Sequence, residues 1–258
     1  MPEGDTVYRT ARNLNDVLAG EIITEWSLRV PAFATSDLRG QRVDEVVSRG
    51  KHILHRIGEW SLHTHLKMEG DWHIYPAGGR WRKPGWKARA VVGTDAVTTV
   101  GFELGVVELL PRSDEELVVG HLGPDLLGPD WSAEEAVARL EADPARPVAV
   151  ALLDQRNLAG LGNEYVNEIC FLRGIRPESP IGETDAAALV RLSHRLILAN
   201  RDRVARTTTG DTRPGRQSWV FSRDGQRCRR CGTVIERGRL GASSTQLRDT
   251  YWCPSCQR

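Results

Sequence analysis

The chain has 258 residues, of which 40% are hydrophobic, and its formal net charge at pH 7 is +1. This length provides for one large domain or for two to three smaller ones, each with its own core. No apolar run approaches the ~18 residues that a membrane span needs, and the N-terminus lacks the apolar segment of a secretory signal, so we expect a cytoplasmic protein that does not enter a membrane.

The charge is unevenly distributed along the chain. Residues 201–258 contain 13 arginines and five acidic residues, a net charge of +8, which leaves −7 for the rest of the chain. A basic segment on a nearly neutral protein favours a partner that carries phosphates, although a solvated basic surface would have the same composition.

The first predicted element is a helix over residues 5–19, in which Val7 and Leu14 share one face. Pro2 and Glu3 in front of it suit a helix start. They also allow a chemical role. Removal of the initiator methionine would expose the secondary amine of Pro2, and an α-amine with a pKa near ~8 is partly neutral at working pH. Such an amine can attack a sugar carbon while Glu3 moves protons.

Residues 21–110 have the pattern of short strands separated by Gly, Pro and Asp, which indicates a sandwich or barrel. The predicted strands lie in EIITEWSLRV, RVDEVVS, HILHRI, WSLHTHL, DWHIY, ARAVVGT and VTTVGF. A turn-rich, basic loop with tryptophans, PAGGRWRKPGWK, interrupts them. Lys51 lies between two strands and is one of four lysines against 31 arginines. It is either an exposed turn residue or a compact cationic donor.

Helices are predicted again after residue 130. Ser132 and Glu135 form a capping box, VAVALLDQ predicts a buried helix, and EYVNEICFL and DAAALVRLSHRLILANRDRVA predict two more. Gly160 and Gly162 interrupt the helical pattern between VAVALLDQ and EYVNEICFL. The backbone N–H groups of such a turn can hold an anion. Asn163, which follows, could donate to a phosphate, but an N-cap is the favoured interpretation of an asparagine taken alone.

Four of the five cysteines form two C-x-x-C pairs separated by 21 residues: Cys228, Cys231, Cys253 and Cys256. Four thiolates close a tetrahedral shell, so we predict one structural Zn²⁺ that supplies the folding energy of a small module. The module is rich in arginine, which suits phosphate binding but also protein binding or an ordinary surface.

These motifs together resemble the formamidopyrimidine-DNA glycosylase/endonuclease VIII family, in its endonuclease VIII-like branch. The resemblance rests on MPEG, RGKHIL, HLKMEG, LLDQRNLAGLGNEYVNEICF and RDTYWCPSCQR, which occur in the family's order. It implies an α+β fold, in which an N-terminal β-sandwich with a leading helix precedes a helix–two-turn–helix domain and a zinc finger. The expected domains are 1–115, 116–212 and 213–258, and the expected partner of this monomer is damaged DNA.

The resemblance also implies catalytic roles. Pro2 would form a Schiff base at the sugar C1′, and Glu3 would be the acid that helps to open the sugar and release the base. Lys51 would assist β-elimination, and Arg248 would grip a phosphate and assist δ-elimination.

Further residues would hold the DNA. His65 and Asn163 match phosphate contacts, and Met68, alone or aided by Lys67, would fill the gap left by the extruded nucleotide. An apolar, flexible methionine suits that task.

Two departures from the family pattern concern the chemistry and the substrate. Asp5-Thr6 stands where the family has a second acid, so either Asp5 takes over that role or proton handling differs. No Arg-x-Phe element occurs near VGFELGVVELL, and we therefore expect excision of oxidised pyrimidines rather than 8-oxoguanine. The alternatives are a non-catalytic DNA-binding zinc protein and a lyase that acts mainly on abasic or single-stranded sites.

Overall fold

A computed structural model describes residues 2–258, which fall into a first compact unit ending at His121 and a second one, Leu122–Arg258. Among these residues no helix combines the length and the apolar character required to cross a membrane. The division of the chain at 115 and 212 stays a prediction.

The first unit is a β-sandwich preceded by a helix, α1 (Gly4–Leu18). Its strands are β1 (Glu25–Leu28), β2 (Glu45–Arg49), β3 (His52–Ile57), β4 (Trp60–His65), β5 (Asp71–Pro76), β6 (Ala88–Gly93), β7 (Val97–Phe102) and β8 (Val106–Pro111). They form two antiparallel sheets with strand orders β1-β6-β7-β5 and β2-β3-β4-β8. The seven strands expected from the sequence are present, and β8 is an eighth within the predicted strand region.

The core of this unit lies between the two sheets, where α1 also contributes. Val7 and Leu14 of the helix are buried in one cluster with Ile53 of β3 and Val92 of β6. Strand residues alternate in direction, so the opposite face of β3 carries polar residues such as His52. His65 of β4, one of the predicted site residues, pairs with His52 and lies on the same outer face.

The second unit contains α3 (Ala133–Glu141), α4 (Val148–Leu153), α5 (Asn163–Arg173) and α6 (Ala186–Asn200); the short α2 (Glu115–Val119) belongs to the first. Ser132 accepts a hydrogen bond from the Glu135 backbone at 3.2 Å, which confirms the Ser132 half of the predicted capping box, whereas the Glu135 carboxylate pairs with Arg139. The last helix ends at Asn200, earlier than expected. The Asn200 side chain bonds the backbone N–H and C=O of Thr207 and so turns the chain back.

A hairpin of β9 (Glu236–Leu240) and β10 (Arg248–Trp252) follows the helices. Phe171 of α5 is buried with Val220, Ile235 and Tyr251 in a small core of its own. The hairpin is thus packed on α5. The predicted α+β fold is confirmed: a sandwich, a helical region and a C-terminal four-cysteine cluster.

Candidate functional site

Helix α1 runs antiparallel to β2, and this places its N-terminus at the Lys51 turn. Gly20 N–H donates to the Val43 carbonyl at 2.8 Å, and Val46 N–H donates to Asn15 Oδ1 at 2.8 Å, so the two segments run in opposite directions. From Asn15 back to Glu3 the helix rises about 18 Å. From Val46 on to Lys51 an extended strand covers about 16 Å. The segment Pro2-Glu3 therefore lies at the same end of the sheet as Lys51.

The two residues in front of α1 differ in exposure. Glu3 is fully buried and precedes the first helical residue, whereas Pro2 is half-buried. Lys51 is half-buried in the turn between β2 and β3, where Gly50 has a φ of 57°, in the left-handed region.

His65 ends β4 opposite His52 and presents a neutral N–H donor at this edge. Its Nδ1 accepts a hydrogen bond from the Lys67 backbone N–H at 2.9 Å, which leaves the ring proton on Nε2. Burial lowers the pKa of His65 to about 4, and the nearby charges of Lys67 and Lys51 add to this effect. An uncharged donor next to two lysines is suited to a phosphate oxygen.

The turn after His65 carries the two residues expected to enter the DNA. Lys67 has a φ of 54°, and its stem covers Gly105, where a Cβ would overlap it. Met68 is 59% exposed, although methionine is usually buried. A flexible apolar side chain is thus presented to solvent beside the neutral histidine and two lysines.

A hydrogen-bonded chain of two histidines and a glutamate, which the sequence analysis missed, supports this edge. His63 Nδ1 lies 2.8 Å from a carboxylate oxygen of Glu108, and His63 Nε2 lies 2.7 Å from His52 Nδ1. A carboxylate only accepts, so His63 donates to Glu108 and accepts from His52. Burial is the main cause that lowers the pKa of His52, to about 3, and the pKa of His63. His52 therefore stands beside Lys51 as a neutral ring whose Nε2 carries a lone pair.

In the second unit, Asn163 and Arg248 are brought together by the contact of α5 with the hairpin. The N-cap of α5 is Gly162, so the interpretation of Asn163 as the cap is wrong. Asn163 is instead the first helical residue, and its amide donates to the Asp249 carbonyl at 2.8 Å. The exposed Arg248 is the neighbour of Asp249 in β10.

A buried carboxylate fixes the chain that leads into the hairpin. Glu168 of α5 accepts backbone hydrogen bonds from Trp219, Val220 and Phe221 at 2.7–2.9 Å, and another from the Thr208 hydroxyl. Three convergent N–H groups compensate for the loss of water around the charge. The helix and the finger are therefore held in one geometry.

The four predicted cysteine ligands converge. The sulfur atoms of Cys228, Cys231, Cys253 and Cys256 all lie within 4.8 Å of one another. Cys228 and Cys256 sulfurs are 3.9 Å apart, and Cys231 and Cys253 sulfurs are 3.4 Å apart. A tetrahedral ion with bonds of about 2.3 Å requires separations of roughly 3.8 Å. The cluster can hold a metal ion of that size.

Residues 1–108 match the family described as "Formamidopyrimidine-DNA glycosylase N-terminal domain", and residues 122–206 match "Formamidopyrimidine-DNA glycosylase H2TH domain". The chain is 49% identical, over its full length and 99% of the relative, to "DNA-(apurinic or apyrimidinic site) lyase Nei2" of Mycolicibacterium smegmatis. It is 47% identical over the full length of both chains to "Endonuclease 8 2" of Mycobacterium tuberculosis.

The chain belongs to the formamidopyrimidine-DNA glycosylase family. A solved structure of the family, a complex between the Lactococcus lactis enzyme and DNA containing an abasic site, covers 100% of both chains with a TM-score of 0.80 at 21% identity. This likeness shows a shared fold. The family resemblance seen in the sequence is confirmed.

The predicted site residues form two groups. Pro2, Glu3, Lys51, His65, Lys67 and Met68 lie at one edge of the first unit, and Asn163, Arg248 and the cysteines lie in the second. His63 and His65 are two residues apart in β4, so the sequence alone indicates that their side chains lie on the same face of the strand. The contact with Glu108 depends on the pairing of β4 with β8, which the sequence does not reveal.

Proposed function

We propose that the protein is a bifunctional DNA glycosylase/AP lyase of base excision repair that removes oxidised bases, chiefly pyrimidines, and nicks the strand by β,δ-elimination. The observation that carries the proposal is the position of Pro2 and Glu3 at the Lys51 end of the sandwich, beside a neutral histidine donor. Full-length relatives named as an AP lyase and as endonuclease 8 support it.

The first step assigned to these residues is covalent. The Pro2 nitrogen, freed by removal of the initiator methionine, attacks C1′ of an extruded nucleotide. The attack breaks the bond between C1′ and the base, which leaves with the proton that the Pro2 amine loses, and Glu3 then protonates O4′ and so opens the sugar ring. The product is an iminium between Pro2 and the sugar, which acidifies the C2′ proton and so prepares the strand for elimination.

The remaining residues hold the strand and complete its cleavage. Lys51 assists β-elimination, and Arg248 assists δ-elimination while it grips a phosphate. His65 and Asn163 bind backbone phosphates, and Met68, alone or aided by Lys67, fills the gap. Because the amide N–H of Asn163 already serves Asp249, its phosphate contact would use the remaining N–H or the helix N-terminus.

The four-cysteine cluster is proposed to hold one structural Zn²⁺. The ion would fix the finger that presents Arg248, and it would supply no step of the reaction, because four thiolates leave no open position. The same proposal includes that the protein is a monomer, that it lies in the cytoplasm, and that it associates with the nucleoid when it is bound to DNA.

Borohydride trapping on an abasic-site duplex tests the chemistry. The expected result is a covalent adduct that peptide mapping assigns to Pro2. A matched control keeps an N-terminal tag, which turns the Pro2 nitrogen into an amide and should abolish both trapping and cleavage. A tagged protein that cuts at the untagged rate would place the nucleophile elsewhere.

A second candidate function is a lyase that acts mainly on abasic or single-stranded DNA. The name of the M. smegmatis relative and the missing Arg-x-Phe element favour it. Cleavage rates on thymine glycol, 8-oxoguanine and abasic duplexes separate the two: excision of thymine glycol supports the glycosylase, and cleavage of the abasic duplex alone supports the lyase.

A further inference from the structure

Trp86 is presented to solvent in a way that packing does not explain. It lies in the loop 77–87 between β5 and β6 and is 80% exposed, whereas Trp60, another exposed tryptophan, reaches 40%. Indole is the largest apolar side chain, and it is seldom left in water without a partner. The loop is one of the motifs that the proposed reaction leaves without a role.

The loop is fixed, and the Lys87 ammonium lies over the Trp86 ring, 5.2 Å from its centroid, while 80% of Trp86 stays exposed. Arg29 donates to the Gly85 carbonyl at 2.9 Å, and the Lys87 carbonyl accepts from Glu103 N–H at 2.9 Å. The Lys87 ammonium pairs with the Glu103 carboxylate at 2.7 Å. Trp81, in contrast, folds inward against Phe102, with ring centroids 6.0 Å apart. One tryptophan of the loop anchors it, and the other is held outward on a rigid support, which suits binding.

The same turn supports both Trp86 and the Met68 loop. Glu103 bonds to Lys87 on one side, and its carbonyl lies next to Gly70, two residues after Met68, on the other. Summed along these contacts, the Cα atoms of Trp86 and Met68 are at most about 25 Å apart, which is about seven stacked bases. Trp86 is therefore within reach of a strand whose gap Met68 fills.

The charge around Trp86 is positive. Residues 77–87 include Arg80, Arg82, Lys83 and Lys87 and no acidic residue. Arg80 and Arg82 are exposed, and within residues 2–258 neither is in a salt bridge. Exposed guanidinium groups next to an aromatic ring are the combination with which proteins bind single-stranded nucleic acid.

We propose that Trp86 stacks on an unpaired nucleobase near the lesion while Arg80 and Arg82 hold the adjoining phosphates. The inference rests on the proposed function, because DNA must be the ligand. It gives the protein a second aromatic or apolar contact besides Met68, where the family's Arg-x-Phe element is missing. Stacking tolerates any base, so this contact favours distorted or single-stranded DNA rather than one sequence.

Binding of a labelled oligonucleotide tests the proposal. The probe carries a tetrahydrofuran abasic analogue inside a short unpaired bubble, and fluorescence anisotropy gives the Kd. Trp86→Ala should weaken binding by roughly 5- to 150-fold, and Trp86→Phe should retain most of the affinity. Trp60→Ala is the matched control, since Trp60 starts β4 at the end opposite His65, about 17 Å away, and should bind as the wild type.

A base scan makes the test specific. Each base beside the lesion is replaced in turn by a second abasic analogue. The wild type should lose affinity at one or two positions, and Trp86→Ala should show no loss at those positions. Equal affinity of Trp86→Ala and the wild type, with the same scan profile, would overturn the proposal.

Two further results separate the possible failures. A wild type that neither binds the probe nor forms a borohydride adduct would refute the proposed function itself. A wild-type dimer in sedimentation that Trp86→Ala dissociates would show that a second copy of this chain covers the indole, and this would overturn the stacking proposal while leaving the enzyme intact.

Discussion

Replacing His55 with leucine should remove one defined part of the acid sensitivity of the sandwich, to which His52, His63 and His65 also contribute. His55 is fully buried on β3, with its ring 5.0 Å from that of Trp72, and within residues 2–258 neither ring nitrogen makes a hydrogen bond of good geometry, although the Leu62 backbone is near enough to offset part of the effect of burial. Burial therefore lowers the pKa of His55 from 6.5 to about 4. A buried imidazole with so little polar contact cannot accept a proton without a large loss of solvation.

The sign and size of the effect follow from proton linkage. Well above pH 6.5 the ring is neutral in both states, so titration contributes nothing. As the pH falls from 6.5 towards 4, the unfolded chain takes up a proton that the folded chain refuses, and the folded state loses stability. Between pH 7 and pH 5 this loss amounts to about 2 kcal/mol.

The assay is a urea titration at pH 7 and pH 5, read from amide resonances of β3 and β4 so that the first unit is followed separately. His55→Leu and His55→Phe should differ in stability at pH 7, because their packing against Trp72 differs. Both should gain about 2 kcal/mol relative to the wild type on going to pH 5. If the difference in unfolding free energy between each variant and the wild type changes by no more than a few tenths of a kcal/mol from pH 7 to pH 5, His55 takes up its proton in the folded state as well, and the reasoning is wrong.

Three further outcomes are expected. Glu168→Gln should destabilise the second unit by about 2–4 kcal/mol in urea unfolding, because an amide group would face the backbone donors, and an unchanged midpoint would contradict this. Atomic absorption should find one zinc per chain. Cys228→Ser or a chelator should remove the zinc, and the finger should then no longer unfold cooperatively. Full thermal stability after metal removal would argue against a structural ion. His65→Ala should weaken binding to an abasic-site duplex by the same factor at pH 6 and at pH 8, because a folded-state pKa of about 4 keeps the ring neutral at both. A larger factor at pH 6 would indicate a charged contact.

The salt dependence of DNA binding gives one more test, for Arg248. Arg248→Ala should flatten the slope of log Kd against log salt by about one phosphate contact, because the exposed guanidinium of β10 releases a counterion when it binds. Arg237→Ala in the neighbouring strand of the same hairpin serves as the control. Equal slopes for Arg248→Ala and the wild type would remove the residue from the interface.

The sequence by itself determined those features that are encoded locally or by motif. The spacing of Val7 and Leu14 predicts α1, alternation and turn residues predict the strands, and the spacing of the cysteines predicts the metal cluster. These inferences hold because a helix, a strand and a C-x-x-C pair each depend on neighbours only a few residues away.

Only the tertiary structure decided which distant residues meet. The antiparallel packing of α1 on β2 carries Glu3 to Lys51, and the pairing of β4 with β8 gives His63 its Glu108 partner. Asn163, expected as an N-cap when taken alone, instead donates a hydrogen bond to the Asp249 carbonyl because α5 contacts the hairpin. Whether a tryptophan anchors a loop, like Trp81, or faces solvent, like Trp86, also depends on long-range packing, which no local pattern in the chain specifies.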